Sequence, residues 1–335
     1  MLSLNFDASS KRNKDTTMKS TRTFLTMSAA MTATVFAGSV SPLTMNNECE
    51  SKDVFASAIR PVSNPTLFDL ALPRTNVHAI FMNQQMPSRV ATVGGGSAPL
   101  GGDFQVYAVQ FEYALHDRLS VVATKDGYVN FDPDTTLSDE SGFANLAAGL
   151  KYAMIFQPEN GFALSGTATV EVPTGSDSVT EGEGDGAVNL ILSSLKVAQG
   201  WQFSSGAGLH LPFDGDANAV TSFVSSHVSY QVCQYFIPLL ECNWYHVVDE
   251  GDGSNRFNDQ IGGALPSVIA FEGGDLLNWG ASNAKDNADI VTMAAGFRSC
   301  LKENVQAGIV YEVPLTDRNK NLMDSRLTVD LVWNF

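Results

Sequence analysis

The stretch that decides the fold is the last one, Arg326-Leu327-Thr328-Val329-Asp330-Leu331-Val332-Trp333-Asn334-Phe335. Leu327, Val329, Leu331, Trp333 and Phe335 share one face of an extended chain. Arg326, Thr328, Asp330 and Asn334 share the other, and Val332 is the exception. Successive side chains leave a pleated strand on opposite sides, so a period of two predicts a strand. A strand greasy on one face and charged on the other separates an apolar medium from a polar one.

The same alternation runs back through the chain. Phe162, Leu164, Ala168, Val170 and Val172 oppose Ser165, Thr167, Thr169 and Glu171. Trp201, Phe203, Ala207, Leu209 and Leu211 oppose Gln202, Ser204, Gly206, Gly208 and His210. Val305, Ala307, Ile309, Tyr311 and Val313 oppose Gln306, Gly308 and Glu312. This pattern predicts twelve strands, near 79–87, 104–115, 119–130, 142–155, 161–173, 186–198, 201–212, 220–231, 235–248, 288–300, 304–315 and 325–335. A soluble sandwich also alternates, but here the connections sort by length. His116–Arg118, Gln157–Asn160, Gln199–Gly200, Val232–Gln234 and Leu301–Glu303 are short. Ser88–Asp103, Phe131–Ser141, Thr174–Asp185, Phe213–Ala219, Val248–Lys285 and Leu315–Met323 are long. Short periplasmic turns against long external loops are the layout of a transmembrane antiparallel up-and-down β-barrel. The even strand count puts both barrel ends at the periplasmic rim, where Trp201, Trp333 and Phe335 form an aromatic girdle. Pro173, Pro212 and Pro314 end three upward strands at the outer rim.

Composition agrees. The 335 residues carry a net charge of −16 with only 17% charged residues, so clustered basic residues for nucleic acid are missing. The acidity concentrates in Asp132–Glu140, Asp177–Asp185 and Asp249–Asp259, which read as solvated loops. None matches a calcium-loop spacing, and no H-E-x-x-H or C-x-x-C occurs, so neither a metal nor a cofactor is expected. Of Cys49, Cys233, Cys242 and Cys300, the second and fourth fall at one end of the barrel; free thiols are the first reading.

Residues 1–39 read as a signal peptide: basic Lys11, Arg12, Lys14, Lys19 and Arg22, then an uncharged segment Thr23–Val40 with small residues around Val35-Phe36-Ala37. Met18-Lys19 would itself make a normal start. The alternative, a membrane anchor, has a short segment rich in Thr, Ser and Ala against it. Residues 40–78 carry Pro61, Pro65 and Pro73 and read first as a periplasmic tether, second as a plug with Leu67–Leu72 as its apolar part. Residues 79–335 are the barrel.

Twelve strands lie between a barrel filled by side chains and a water channel, so the inward residues decide whether it conducts. By parity the candidate lumen-lining residues are Glu112, Lys151, Glu171, His210, Glu241, Arg298, Glu312, Arg326 and Asp330, with Arg326 placed to neutralise Glu312. Charges out of water need partners, so the plainer reading is a set of pairs bracing the wall. With acidic loops above, the outer mouth is expected to disfavour anions. His227-Val228-Ser229 superficially resembles the His-x-Ser pair of outer-membrane phospholipase, but parity turns both residues inward and no strong third member stands out.

A family resemblance follows from three motifs. Glu112-Tyr113-Ala114-Leu115-His116-Asp117-Arg118-Leu119-Ser120 resembles the strand–turn–strand element EYGLTDRLS of bacterial outer-membrane barrels labelled as MetA-pathway phenol-degradation proteins or as transporters. Val172-Pro173-Thr174-Gly175-Ser176 resembles their LPTG strand end, and Leu150-Lys151-Tyr152 the strand between. The resemblance spans Phe104 to Phe335; the Val248–Lys285 loop and the cysteines depart from it. It implies a barrel in outer-membrane lipid that passes small, hydrophobic or aromatic solutes and has no catalytic residues to transfer. The final strand, Arg326 to Phe335, with its terminal aromatic, resembles the signal read by the barrel-assembly machinery. The expected function is therefore a channel or transporter. A non-conducting surface barrel binding a partner or divalent ions through acidic loops is the alternative, and a membrane-embedded hydrolase the third.

Overall fold

A computed structural model of the chain describes residues 54–335 apart from 92–95, 136, 180, 183, 216–217, 250–288 and 319–321. The signal-peptide reading, Cys49, nearly all of the Val248–Lys285 loop and most of the third acidic run lie outside the described residues.

The alternating segments form sixteen strands: β1 (Asn76–Gln85), β2 (Arg89–Ala91), β3 (Ser97–Pro99), β4 (Asp103–His116), β5 (Leu119–Lys125), β6 (Tyr128–Asp132), β7 (Glu140–Phe143), β8 (Leu146–Gln157), β9 (Phe162–Val172), β10 (Ala187–Ala198), β11 (Trp201–Pro212), β12 (Val220–Tyr230), β13 (Ile237–Asp249), β14 (Asp289–Lys302), β15 (Val305–Pro314) and β16 (Ser325–Asn334). From β8 to β16 each strand pairs antiparallel with the next, β4 pairs with both β5 and β6, β5 pairs with β8 and β6 with β7, and β1 pairs with both β16 and β4. Ala79 opposes Leu331 on one side and Val109 on the other, so the sheet closes on itself and leaves no free edge. β5 with β6 forms one stave, and so does β7 with β8, which gives a closed barrel of twelve.

Those two divided staves are where the sequence expected continuous strands over 119–130 and 142–155. The first breaks at Asp126-Gly127, where Gly127 takes φ +135°, a conformation open to glycine. The second breaks opposite it, at Ala144-Asn145, and the Ala144 amide donates to the Gly127 carbonyl at 2.9 Å. The Asp126 carboxylate accepts the Val109 amide that the ladder no longer serves. β1 also begins three residues earlier than expected, and β2 with β3 makes a small hairpin inside the first long loop.

The expected parity holds in the wall. In β16, Val329, Leu331 and Trp333 are 37%, 43% and 47% exposed, while Arg326 and Thr328 are fully buried. Tyr107, Phe111, Tyr113, Leu150, Tyr152, Leu192, Leu240 and Tyr311 lie exposed around the outside, an apolar belt suited to lipid. Trp201 packs on Tyr230 and Trp333 on Phe335, at ring separations of 4.8 and 4.7 Å, at the end of the short turns.

The interior departs from the expected wet lumen. Residues 54–75, read first as a tether, lie inside the barrel. Phe55, Ile59, Val62, Leu67, Phe68, Leu70 and Leu72 are all buried there. Val332, the exception to the alternation of β16, faces inward. Ile191, Phe223, Tyr245, Val247 and Ile290 surround Leu67. Ala163, Leu195 and Val197 pack on Phe55, Leu70 and Leu72. Ile237, Leu239, Ala294 and Val310 pack on Ile59 and Val62. A separate apolar cluster joins Ile80, Met82, Phe104, Val106 and Phe131 of the wall to Met86, Val90, Leu100, Val179 and Leu322 of the connecting segments.

An arginine facing lipid near mid-membrane costs about 2–4 kcal/mol. Val329→Arg, on the outward face at the middle of β16, is expected to lower folding stability in lipid by that amount. Urea titration of refolding into vesicles measures it; an unchanged midpoint would contradict the lipid-facing parity.

Candidate functional site: the occupied lumen

A segment that crosses a barrel without joining its ladder must find other partners for its amides and carbonyls. Residues 54–75 begin as a short 3-10 turn, Val54–Ser57, held near the β8–β9 turn by Phe55 against Phe156 at 5.4 Å. The chain turns tightly at Asn64–Phe68, where the Phe68 amide donates to the Asn64 carbonyl at 2.9 Å. It then runs back through Leu70 and Leu72 into β1.

Wall side chains reach its main chain along the way. Gln202 of β11 accepts the Ile59 amide at 2.8 Å and donates to the Ile59 carbonyl at 2.7 Å. Glu241 of β13 accepts the Val62 amide at 3.0 Å and the Ser63 amide at 2.7 Å. Arg326 donates to the Ser63 carbonyl at 2.9 Å, Lys151 to the Leu70 carbonyl at 3.1 Å and Gln110 to the Pro65 carbonyl at 3.1 Å. Glycines make room: a Cβ on Gly206 would stand 3.0 Å from the Phe68 ring, and one on Gly308 would stand 3.0 Å from Val62.

The nine residues chosen by parity fall into several groups. Glu112 and Lys151 pair at 2.8 Å; with Arg60 and Asp69 of the segment they form a quartet of two cations and two anions. Glu112 also accepts from Ser120 Oγ at 2.6 Å and the Arg74 amide at 3.1 Å. Glu312 and Arg326 pair at 2.9 Å, and Asn243 donates to Glu312 at 3.0 Å. Arg298 and Asp330 pair at 2.7 Å, and Asp330 meets His78 Nε2 at 2.7 Å. Glu171 pairs with Lys125 at 2.7 Å, and His210 bonds Asn189 at 2.7 Å within electrostatic reach of that pair. Such pairs are geometrically demanding, and removal of one member leaves a buried charge.

The His227–Ser229 pair needs a correction, because a third member exists. His227 Nδ1 lies 2.7 Å from Glu241 and Nε2 lies 2.9 Å from Ser229 Oγ. The order Ser–His–carboxylate is that of a hydrolase triad. All three residues are buried, and the same carboxylate holds the Val62 and Ser63 amides, so residues 59–63 stand where a substrate would have to enter.

A second polar knot closes the loop between β9 and β10. Asn145 Oδ1 accepts the Gly175 and Gly182 amides at 3.0 and 2.9 Å, and its own amide donates to Glu181 at 3.0 Å. Lys125 stands 3.0 Å from Glu181 while also serving Glu171. Burial pushes the Glu181 carboxyl above its ordinary range; Lys125 opposes the rise and the charge of Glu171 adds to it.

The sequence reading missed Arg60, Asp69, His78, Lys125, Glu181 and the bridging role of Gln202. Gln202 was legible as a polar-face residue of 201–211. Lys125 and Asn145 sit beside strand breaks that interrupt the parity, and Arg60 and Asp69 lie in an aperiodic segment. Cys233 is a free thiol.

The closed twelve-stranded wall, its apolar outer belt and its turn asymmetry define an outer-membrane β-barrel. Residues 87–284, more than half of the chain, match the family described as "Putative MetA-pathway of phenol degradation", and the chain belongs to that family. Among solved structures it resembles the COG4313 outer membrane channel from Pseudomonas putida F1, with 16% identity, a TM-score of 0.54, and coverage of 83% of this chain and 100% of that one. It is more distantly similar to the NanC porin, with 6% identity, a TM-score of 0.45, and coverage of 78% and 100%. OprD from Pseudomonas aeruginosa is also similar, with 5% identity, a TM-score of 0.36, and coverage of 84% and 95%. No curated protein sequence matches.

Two substitutions probe this packing. Gly206→Leu drives a side chain into the Phe68 ring and is expected to raise chymotrypsin cleavage after Phe68 at least tenfold in the folded barrel; unchanged cleavage would contradict the Phe68 contact. For Glu181, a raised folded pKa means the folded loop binds the proton more tightly, so loop docking strengthens as pH falls and weakens as pH rises through that pKa. Glu181→Gln is expected to flatten this pH dependence in amide exchange of residues 173–186; a retained dependence would assign it elsewhere.

Proposed function

We propose that the protein is an outer-membrane channel for small solutes and that residues 54–75 are its plug. The observation that carries this reading is the seating of the segment. Its amides and carbonyls are met by side chains of the wall and not by a β-ladder, so the segment can leave without breaking the barrel's hydrogen-bonded wall. Emptied, the wall would present paired charges, glycine notches and apolar side chains around an open path. Family membership supports hydrophobic or aromatic compounds as the solutes, and the acidic external loops favour neutral or cationic ones. In this reading His227 and Ser229 hold Glu241 in place for the plug and perform no hydrolysis, and the last strand, Arg326 to Phe335, is what the barrel-assembly machinery engages.

The test locks the plug. A Cβ on Gly308 would stand 3.0 Å from a Val62 methyl, close enough for a disulfide between Val62→Cys and Gly308→Cys once the Asp330 carboxylate, 2.6 Å from that Cβ, gives way. In planar bilayers the oxidised double variant is expected to be silent. Reduction should restore the discrete current steps of the native chain, with cations preferred over anions. Equal conductance before and after reduction would overturn the plug, and anion preference would overturn the acidic mouth.

A further inference from the structure

Many of the polar contacts that hold residues 54–75 are contacts to groups every peptide has. Gln202 clasps both the N–H and the C=O of one residue, Ile59. Glu241 takes two successive amides, those of Val62 and Ser63, and is itself fixed from behind by His227 at 2.7 Å. Arg326, anchored on Glu312 at 2.9 Å, donates to the Ser63 carbonyl. Lys151, anchored on Glu112, donates to the Leu70 carbonyl. Each of these wall groups is buried, and each has a partner within the wall that orients it, Gln202 through Ser204 Oγ at 3.1 Å. Selection by side chain comes from the apolar seats of Phe55, Ile59, Leu67, Leu70 and Leu72 and from a few further places. The Phe68 ring lies over the Gly206 notch, Val62 over the Gly308 notch, and Arg60 and Asp69 beside Glu112 and Lys151.

A wall that reads main chain at four or more points, with two notches for apolar side chains, is a receptor for polypeptide. We propose that the lumen is a peptide-binding site and that residues 54–75 are its resident, exchangeable ligand. A peptide from outside the chain, of similar length and with an apolar residue at the Phe68 place, takes the same seat and closes the emptied barrel. This goes beyond the channel reading and uses it only for the closing of the path, because binding itself requires no current. Main-chain recognition leaves tolerance within the apolar pattern: peptides that keep the amides and an apolar residue at each apolar seat bind, whatever their remaining side chains are.

The experiment starts from the full chain with a protease recognition site inserted between Pro73 and Arg74. The chain is refolded, cut and washed, with heat-dependent gel mobility reporting that the barrel stays folded. A fluorescent synthetic peptide of residues 54–73 is then added and its anisotropy read. Saturable binding is expected. A peptide whose other apolar residues are exchanged among themselves, with Phe68 and Val62 kept in place, should bind within about tenfold, since both the amides and the apolar pattern are kept. A peptide methylated on the amide nitrogens of Ile59, Val62 and Ser63 should bind roughly 100-fold more weakly, because three donors are lost. Gln202→Leu in the barrel should weaken the native peptide about tenfold. Equal binding of the methylated peptide, or no binding to a folded emptied barrel, would overturn the proposal. If the cut barrel unfolds, the uncut double variant Gln202→Leu, Glu241→Gln serves. Chymotrypsin cleavage after Phe68 should then rise at least tenfold, and unchanged cleavage would overturn main-chain seating. An emptied barrel that conducts yet binds no peptide defeats this inference and leaves the channel standing; a barrel that binds peptide and never conducts does the reverse.

Discussion

A chain threaded through the middle of a β-barrel has no ladder to join and little water to turn to, and each unmet amide or carbonyl there costs on the order of 1–3 kcal/mol. In this protein that constraint organises the interior. Gln202, Glu241, Lys151 and Arg326 each point a polar group at the main chain of residues 54–75. The charges that do so are held by partners of their own, Glu241 by His227, Lys151 by Glu112 and Arg326 by Glu312. The wall satisfies the segment and the segment fills the wall, and neither is explained without the other.

The apolar half of the interior follows from the same arrangement. Leu67 with Ile191, Phe223 and Tyr245, and Leu70 and Leu72 with Leu195 and Val197, bury surface that water would otherwise wet. Burial of this kind is worth about 25 cal/mol per Å² of apolar area. Gly206 has no side chain because Phe68 stands against it, and Gly308 has none because the Asp330 carboxylate and Val62 do. The triad-like order of Ser229, His227 and Glu241 has the same explanation: a carboxylate that accepts two backbone amides needs its second face fixed, and His227, braced by Ser229, fixes it.

Much of the wall could be read in the sequence. Parity identified the lipid-facing residues of the final strand, and the sorted loop lengths separated a membrane barrel from a sandwich. The breaks at Gly127 and Asn145 escaped, because a two-residue interruption leaves the flanking alternation intact. The lumen's occupant escaped for a deeper reason. Residues 54–75 have no period, since nothing about them repeats against a repeating surface; each contact is a separate solution. Its traces were present as exceptions. Val332 breaks the polar face of its strand, and Phe223, Tyr245 and Ile191 are apolar at inward positions. In a water-filled barrel such residues would be misplaced, and against a plug they are the seat. Pairing of the parity-selected charges with Arg60, Asp69, His78 and Lys125 depended on tertiary geometry that local pattern does not carry.

The most direct measurement is amide hydrogen exchange of the full-length protein in lipid nanodiscs, followed by mass spectrometry of peptides covering residues 54–75. If the segment sits in the lumen, the amides of Ile59, Val62, Ser63 and Phe68 exchange orders of magnitude more slowly than an open chain, close to the rate of β11 and β13. Exchange at the open-chain rate, with the strands still protected, would mean that the lumen is empty and that the interior has been assigned the wrong occupant.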